Sequence, residues 1–206
     1  EGPIDTGDIP EDGSCFDVIV VGGGPSGSAA ASYNALNGCK VLLIEKEVWP
    51  RDKICGDAVG GKSLSHVKEL GVKEMIEKTP HFMVDSIVFG SANGNTVKVM
   101  LPQDEFEKKM AGYSLPRKQF DYMMFRRATE IVIEAGGSVI QGFDVREVLE
   151  EDGAIVGVSG SFGKRSSDSP TFSFVAPLTI GAGGYRCPVA TKPVSYTHLR
   201  AHETLL

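Results

Sequence analysis

The segment FDVIVVGGGPSGSAAA, residues 16–31, constrains this chain more than any other. Apart from Asp17, residues 16–21 are an apolar, β-branched run, the pattern of a strand covered on both faces within a parallel sheet. Glycines end that run, and residues 25–37 read as a helix of small side chains. Gly22, Gly24 and Gly27 therefore stand as GxGxxG between a strand and a helix. In that setting Gly22 allows a tight turn, Gly24 lets backbone approach a diphosphate, and Gly27 lets the helix pack closely on the sheet. The helix start at Pro25 and Ser26 offers free N–H groups and a positive dipole end to the same phosphates.

Gly38 supplies the helix stop, and KVLLIE at 40–45 reads as a second buried strand. The result is a strand, helix, strand unit with a right-handed crossover. Glu45 closes the second strand about 20 residues after the glycines, where a carboxylate accepts hydrogen bonds from ribose hydroxyls. It would repel a 2′-phosphate, so the pattern suits FAD or NAD rather than NADP.

Further along, residues 49–61 read as a loop and 63–70 as a helix with weaker helical signal to Lys78. Residues 85–91 and 96–101 form a hairpin pattern across Asn93-Gly94. Residues 117–135 carry apolar positions at near-helical spacing and close on Gly136 and Gly137. A third parallel strand is expected at 139–143, then an antiparallel ribbon of 145–149, 155–159 and 171–180, with a polar turn at 164–169. The fold class expected is α/β: a Rossmann-like domain with a parallel sheet plus an antiparallel β ribbon, truncated before the substrate-binding part is complete.

The domain limits expected are a disordered acidic leader at 1–14, a nucleotide-binding domain at 15–193 with part of a substrate-side hairpin at about 80–116, and a non-native tail at 194–206. The tail reading rests on SYTHLRAHETLL, which does not continue the preceding pattern and resembles translated adapter read-through. His198 and His202 are excluded from catalysis on that ground, and the protein is expected to continue past about Pro193.

At 206 residues the chain has room for one domain plus part of a second. Apolar residues make up 41% and charged residues 23%, which favours neither a disordered nor a membrane-spanning class. Glu1, Asp5, Asp8, Glu11 and Asp12 carry most of the net charge of -6, leaving the rest nearly neutral. Without a basic stripe, nucleic acid is not an expected partner. Cys15, Cys39, Cys55 and Cys187 form no CxxC or zinc-site spacing, so no metal is expected and a reducing cytoplasm fits. The apolar runs are strand-sized, so any membrane contact is expected to be peripheral.

The loop Pro50-Arg51-Asp52-Lys53-Ile54-Cys55-Gly56-Asp57 carries a more specific signal. Residues 16–193 resemble the N-terminal part of the geranylgeranyl reductase family of flavoproteins, within the wider p-hydroxybenzoate-hydroxylase-like group, and the R-x-K-x-C-G-D loop is the residue pattern that narrows the likeness. The resemblance implies FAD as cofactor, with this loop along the flavin and Cys55, Gly56, Asp57 and Ala58 against it. Cys55 is the catalytic candidate, weighed against a buried thiol without a redox part. Arg51 or Lys53 would offset negative charge on reduced flavin, and Lys46 joins the expected cofactor set.

The segment from Tyr113 to Asp121, YSLPRKQFD, resembles the family pattern of an Arg at a helix start followed by Phe-Asp, which implies that Arg117 reaches the phosphate or ribitol region. The competing reading pairs Arg117 with Asp121 at (i, i+4). By the same resemblance, Val145 contacts adenine through backbone, and the turn TIGAGG at 179–184 places Gly181 and Ala182 near the nucleotide. The family's Asp in that turn is Gly183 here.

The activity implied is reduction of isoprenoid double bonds in lipid, chlorophyll or quinone precursors, with a prenyl-lipid substrate and with NAD(P)H or ferredoxin as external reductant. Two alternatives stay open: an aromatic hydroxylase, monooxygenase or quinone-linked dehydrogenase on the same scaffold, and a nucleotide-binding fragment without activity.

Overall fold

The computed structural model describes residues 2–100, 112–163 and 170–191. The expected strand end at Leu101, the turn at 164–169 and the tail at 194–206 lie outside the described residues.

In chain order the first elements are β1 (Val18–Val21), α1 (Pro25–Leu36), β2 (Val41–Glu45), β3 (Ala58–Gly60), α2 (Ser63–Glu69) and α3 (Lys73–Glu77). Next come β4 (Phe82–Val84), β5 (Ser86–Gly90), β6 (Thr96–Met100), β7 (Gly112–Ser114) and α4 (Arg117–Glu134). The last part holds β8 (Ser138–Gln141), β9 (Phe143–Glu151), β10 (Ala154–Phe162), β11 (Phe172–Val175), β12 (Leu178–Gly181), a 3-10 turn at Gly184–Arg186 and α5 (Pro188–Thr191). The chain divides into two compact units, Glu1–Arg51 with Met124–Leu206, and Asp52–Met123.

The first unit is built on a four-stranded parallel sheet of order β12-β1-β2-β8. Taken from β8, the strands come third, second, first and fourth in the sheet's own chain order, the doubly wound pattern, and the order reverses between β1 and β12. Every residue of β1 and β2 is buried, which explains why their sequences are apolar up to Glu45 at the end of β2. Alternation sends Ile19, Val21, Leu42, Ile44 and Ile140 into one cluster with Phe143, Val158 and Phe174 from β9, β10 and β11. Helix α1 contacts β1, β2 and β12. Its buried positions are Gly27, Ser28, Ala31, Ser32 and Ala35, small enough for close approach. The buried hydroxyls of Ser28 and Ser32 donate to the carbonyls of Gly23 and Ser28 at 3.2 and 2.8 Å, so neither is stranded.

The ribbon β9–β10–β11 is antiparallel, as expected, but the stretch 171–180 is not one strand. β11 pairs with β10, and after Pro177 the chain joins the parallel sheet as β12 beside β1. Proline has no N–H to continue a ladder, so it marks the change of sheet. The leader expected to be disordered also makes contacts of its own. Gly13 donates to the Ser173 carbonyl at 2.8 Å, the Ile4 carbonyl accepts from Gln141, and the Ser14 carbonyl accepts the Val175 N–H at 3.1 Å. Gly13 and Ser14 use the free edge of β11, an edge no sequence period announces.

The second unit holds an antiparallel sheet of order β3-β7-β4 and the separate hairpin β5–β6. Leu64, Val67, Leu70, Val72 and Ile76, from α2, α3 and their link, are buried. The hairpin sits where Asn93-Gly94 placed it, with Gly94 at φ +86°. Among the described residues no helix is long and apolar enough to cross a membrane.

Candidate functional site

In a doubly wound sheet the natural crevice lies at the carboxyl ends of the strands where the order reverses. Here those ends are Val21 of β1, followed by the glycine turn, and Gly181 of β12, followed by Ala182 and Gly183. The two turns touch. Gly22 has φ +110°, and a Cβ there would lie 2.5 Å from the Ala182 carbonyl oxygen and the Gly183 nitrogen. Gly27 is required for a different reason, because a Cβ there would overlap the Gly22 carbonyl oxygen. Gly24 faces open space, with only Arg51 Nη2 nearby, 3.6 Å from where its Cβ would stand.

The start of α1 is left for an outside partner. Gly24 caps the helix without a side-chain hydrogen bond, Pro25 opens it, and no acidic residue sits in the first turn to offset the dipole. Glu45, at the end of the neighbouring β2, is buried with its carboxylate turned to this turn. Its Oε2 accepts the Gly23 N–H at 2.8 Å, and its Oε1 accepts the Glu47 N–H at 2.9 Å. Arg51 Nη2 stands 3.5 Å from Oε2, and its guanidinium stacks 4.3 Å from the Trp49 ring centroid. Trp49 is itself buried against Phe125 at 5.2 Å, so a largely buried cation is held rigidly beside the opening at Gly24.

Gly22, Gly24, Glu45, Gly181 and Ala182 thus lie at or just past adjoining strand ends of one sheet, with Pro25, Ser26 and Gly27 opening α1 and Arg51 in the loop after β2. Lys46, mostly exposed, instead pairs with Asp144 at 3.3 Å, and Val145 is a buried residue of β9. These residues fit the ADP part of a dinucleotide. A side chain at Gly24 would occupy the approach to the helix amides, and Glu45 Oε1, which accepts the Glu47 N–H, has lone-pair capacity left for a ribose hydroxyl.

Lys53, Cys55, Gly56, Asp57, Ala58 and Arg117 belong to the second unit. Cys55 is exposed, which removes the reading of it as core. The Asp57 carboxylate accepts the Arg117 N–H at 3.0 Å and the Asp57 carbonyl accepts the Leu115 N–H at the same distance, tying the loop to the start of α4. The Arg117 side chain grips Asp121, with Nε 2.7 Å from Oδ1 and Nη2 3.1 Å from Oδ2. Those hydrogen bonds hold the Arg117 pKa above its usual value; burial opposes them, and the Asp121 charge and Cys55 add to the rise. The local (i, i+4) pair foreseen as the competing reading is therefore present.

Sequence reasoning missed Gly23, Trp49 and Cys187. A Cβ at Gly23 would stand 2.5 Å from the Phe125 ring, and its N–H is what Glu45 holds. Buried Cys187 packs close behind the second turn: a Cβ at Gly183 would lie 3.2 Å from both its Cβ and Sγ. The middle glycine of the run Gly22-Gly23-Gly24 and a lone tryptophan after the second strand were the signals available. Among the described residues no cluster of three or more His, Cys, Asp or Glu side chains could hold a metal ion.

Residues 15–204 match the FAD binding domain family. The chain is 44% identical over 87 residues to conditioned medium factor receptor 1 of Dictyostelium discoideum, covering 42% of this chain and 17% of that protein. It is 31% identical to a digeranylgeranylglycerophospholipid reductase of Methanocella arvoryzae, over 84% of this chain and 40% of the relative. It is 30% identical to squalene monooxygenase of Mus musculus, over 82% of this chain and 28% of the relative. The structure of a myxobacterial FAD-dependent chondrochloren halogenase superposes with a TM-score of 0.71 at 26% identity, over 84% of this chain and 38% of the other. The chain therefore spans well under half the length of each of these proteins.

Proposed function

The chain belongs to the FAD binding domain family, and from that premise we propose that it forms the nucleotide-gripping part of a flavoenzyme that reduces isoprenoid double bonds. The carrying observation is the opening at Gly24, framed by the uncapped start of α1, the buried Glu45 carboxylate and the stacked Arg51 cation. The main-chain N–H groups at Ser26 and Gly27 would hold the diphosphate. Glu45 would accept the ribose hydroxyls while keeping the Gly23 turn in shape. Arg51, fixed by Trp49, would offset phosphate charge without entropy left to lose. Gly181 and Ala182 would close the second side with backbone.

Bound flavin supplies the two-electron chemistry, and the protein supplies position and field. The prenyl substrate rests on two supports: the R-x-K-x-C-G-D loop at 51–57, and similarity to an enzyme named for reducing a digeranylgeranyl lipid. The likeness of the 51–57 loop to the family would put Lys53, Cys55, Gly56, Asp57 and Ala58 against the flavin, with Lys53 supplying positive charge, while the Arg117 guanidinium is already matched by Asp121. The rival reading, oxygen insertion, is supported by the similarity to squalene monooxygenase.

The test uses the full-length gene product with a geranylgeranylated glycerolipid, under anaerobic conditions with chemically reduced FAD. Saturation of the chain, read as a gain of two hydrogens per double bond by mass spectrometry, is expected. No saturation there, together with an oxygenated product when air and NADPH are supplied, would replace reduction by monooxygenation.

A further inference from the structure

Strands β2 and β8 both end on a polar residue, and the register sets the two opposite each other, Glu45 beside Gln141. The half-buried Gln141 amide joins two distant stretches of chain. Its Oε1 accepts the Trp49 N–H and its Nε2 donates to the Ile4 carbonyl, both at 2.9 Å. A peptide N–H can only donate and a peptide carbonyl only accept, so the orientation of the amide is settled and both of its ends are matched. A carboxylate at this position would leave the Ile4 carbonyl facing an acceptor. An ammonium would leave the Trp49 N–H without one.

The Trp49 contact matters because of what the indole carries. The ring is buried, stacks on Phe125 at 5.2 Å and holds the Arg51 guanidinium 4.3 Å from its centroid. Arg51 Nη2 in turn stands 3.5 Å from Glu45 Oε2 and 3.6 Å from where a Cβ on Gly24 would lie. Pro50 has no N–H, so that of Trp49 is the last main-chain donor before Arg51 itself. Earlier in the loop, the Glu47 N–H donates to Glu45 Oε1 at 2.9 Å and the Glu47 carbonyl accepts the Gly142 N–H at 3.4 Å. The segment is thus tied to the ends of β2 and β8 at successive points, of which the Gln141 amide is the nearest in sequence to the cation.

We propose that Gln141 is a positioning residue of the cofactor site: by holding the Trp49 main chain it keeps the indole where Arg51 stacks, and so sets the cation beside the opening at Gly24. The role rests on the reading of the glycine turn as an FAD site. A long, flexible side chain that must be ordered when the anion arrives weakens binding, whereas one already fixed does not. The Ile4 carbonyl steadies the far end of the same amide.

Trp49 is the one tryptophan of the chain, so its emission reports its own surroundings. In the flavin-free chain, Gln141→Met, which keeps the length and loses both hydrogen bonds, is expected to shift that emission toward the spectrum of Arg51→Met, where no cation lies on the ring. FAD titrations followed by flavin fluorescence should show the dissociation constant raised about tenfold by Gln141→Met. In the Arg51→Met background the same substitution should change it less than about twofold, because the residue through which it acts is gone. Should Gln141→Met fail to fold, Gln141→Asn, one methylene too short to span both partners, takes its place in each measurement. Unchanged emission, FAD bound as tightly as by the parent, or equal weakening in both backgrounds would overturn the role of Gln141 and leave the flavin reading standing. An unchanged chain that binds no FAD would overturn both.

Discussion

A methyl group at Gly24 would meet only Arg51, at ordinary contact distance, while one at Gly27 would overlap the carbonyl of Gly22. The two glycines of one motif are therefore separable by experiment. Gly24→Ala should leave stability within about 1 kcal/mol of the parent and weaken FAD binding, measured by quenching of flavin fluorescence. Gly27→Ala should cost about 3 kcal/mol or more through overpacking, read from urea unfolding. Equal losses of stability in both would mean that the space at Gly24 is not an approach to the helix amides. Glu45→Gln tests the next residue: an amide nitrogen cannot accept, so either the Gly23 or the Glu47 N–H loses its acceptor. A loss of about 1–3 kcal/mol in unfolding free energy is expected, with weaker FAD binding beside it. For exposed Cys55, Cys55→Ser in the full-length enzyme should lower turnover about tenfold, or about 1.4 kcal/mol, at unchanged flavin content; unchanged turnover would remove the thiol from the chemistry.

The same logic of contact distance governs whole elements. Helix α1 presents small residues to β1 and β2, and Ala31 is fully buried. Ala31→Leu should cost about 1–3 kcal/mol by forcing helix and sheet apart, and a thermal melt that matches the parent would show that the packing is looser than described. Elements of this kind were legible in the sequence because burial on both faces of β1 and β2 leaves apolar residues, with glycine after β1 and Glu45 at the end of β2. Helix α4 and the hairpin at Asn93-Gly94 were legible through period and turn chemistry. What escaped were features set by distant partners. The three-residue strands β3, β4 and β7 are too short to show a period. The split of 171–180 between two sheets depends on which strand lies beside which, and Pro177 was its one local sign. Within the site, the glycines and Glu45 could be read from spacing, whereas the stack of Phe125, Trp49 and Arg51 joins residues more than seventy positions apart.

At the scale of the molecule, the chain completes only half of its parallel sheet before leaving it at Arg51, and it returns through α4 and β8. The strand ends that frame the glycine turn therefore come from both ends of the sequence, which makes the site a reporter of the first unit as a whole. The β5–β6 hairpin differs in kind: Ile87, Val88, Phe89, Val97 and Val99 are all exposed, and among the described residues it has no third strand. A two-stranded ribbon of that sort opens at low cost. FAD at a hundredfold excess over its dissociation constant should stabilise the protein by about 2.7 kcal/mol. Hydrogen exchange followed with and without FAD should then show slowed amides at 22–28, 45–51 and 181–183, and unchanged fast exchange at 86–100. The contrast matters because a ligand bound to the turn can protect only what must open to release it. If added FAD slowed exchange at the hairpin and left 22–28 untouched, the cofactor would be held elsewhere, and the roles given to Glu45 and Arg51 would have to be withdrawn together.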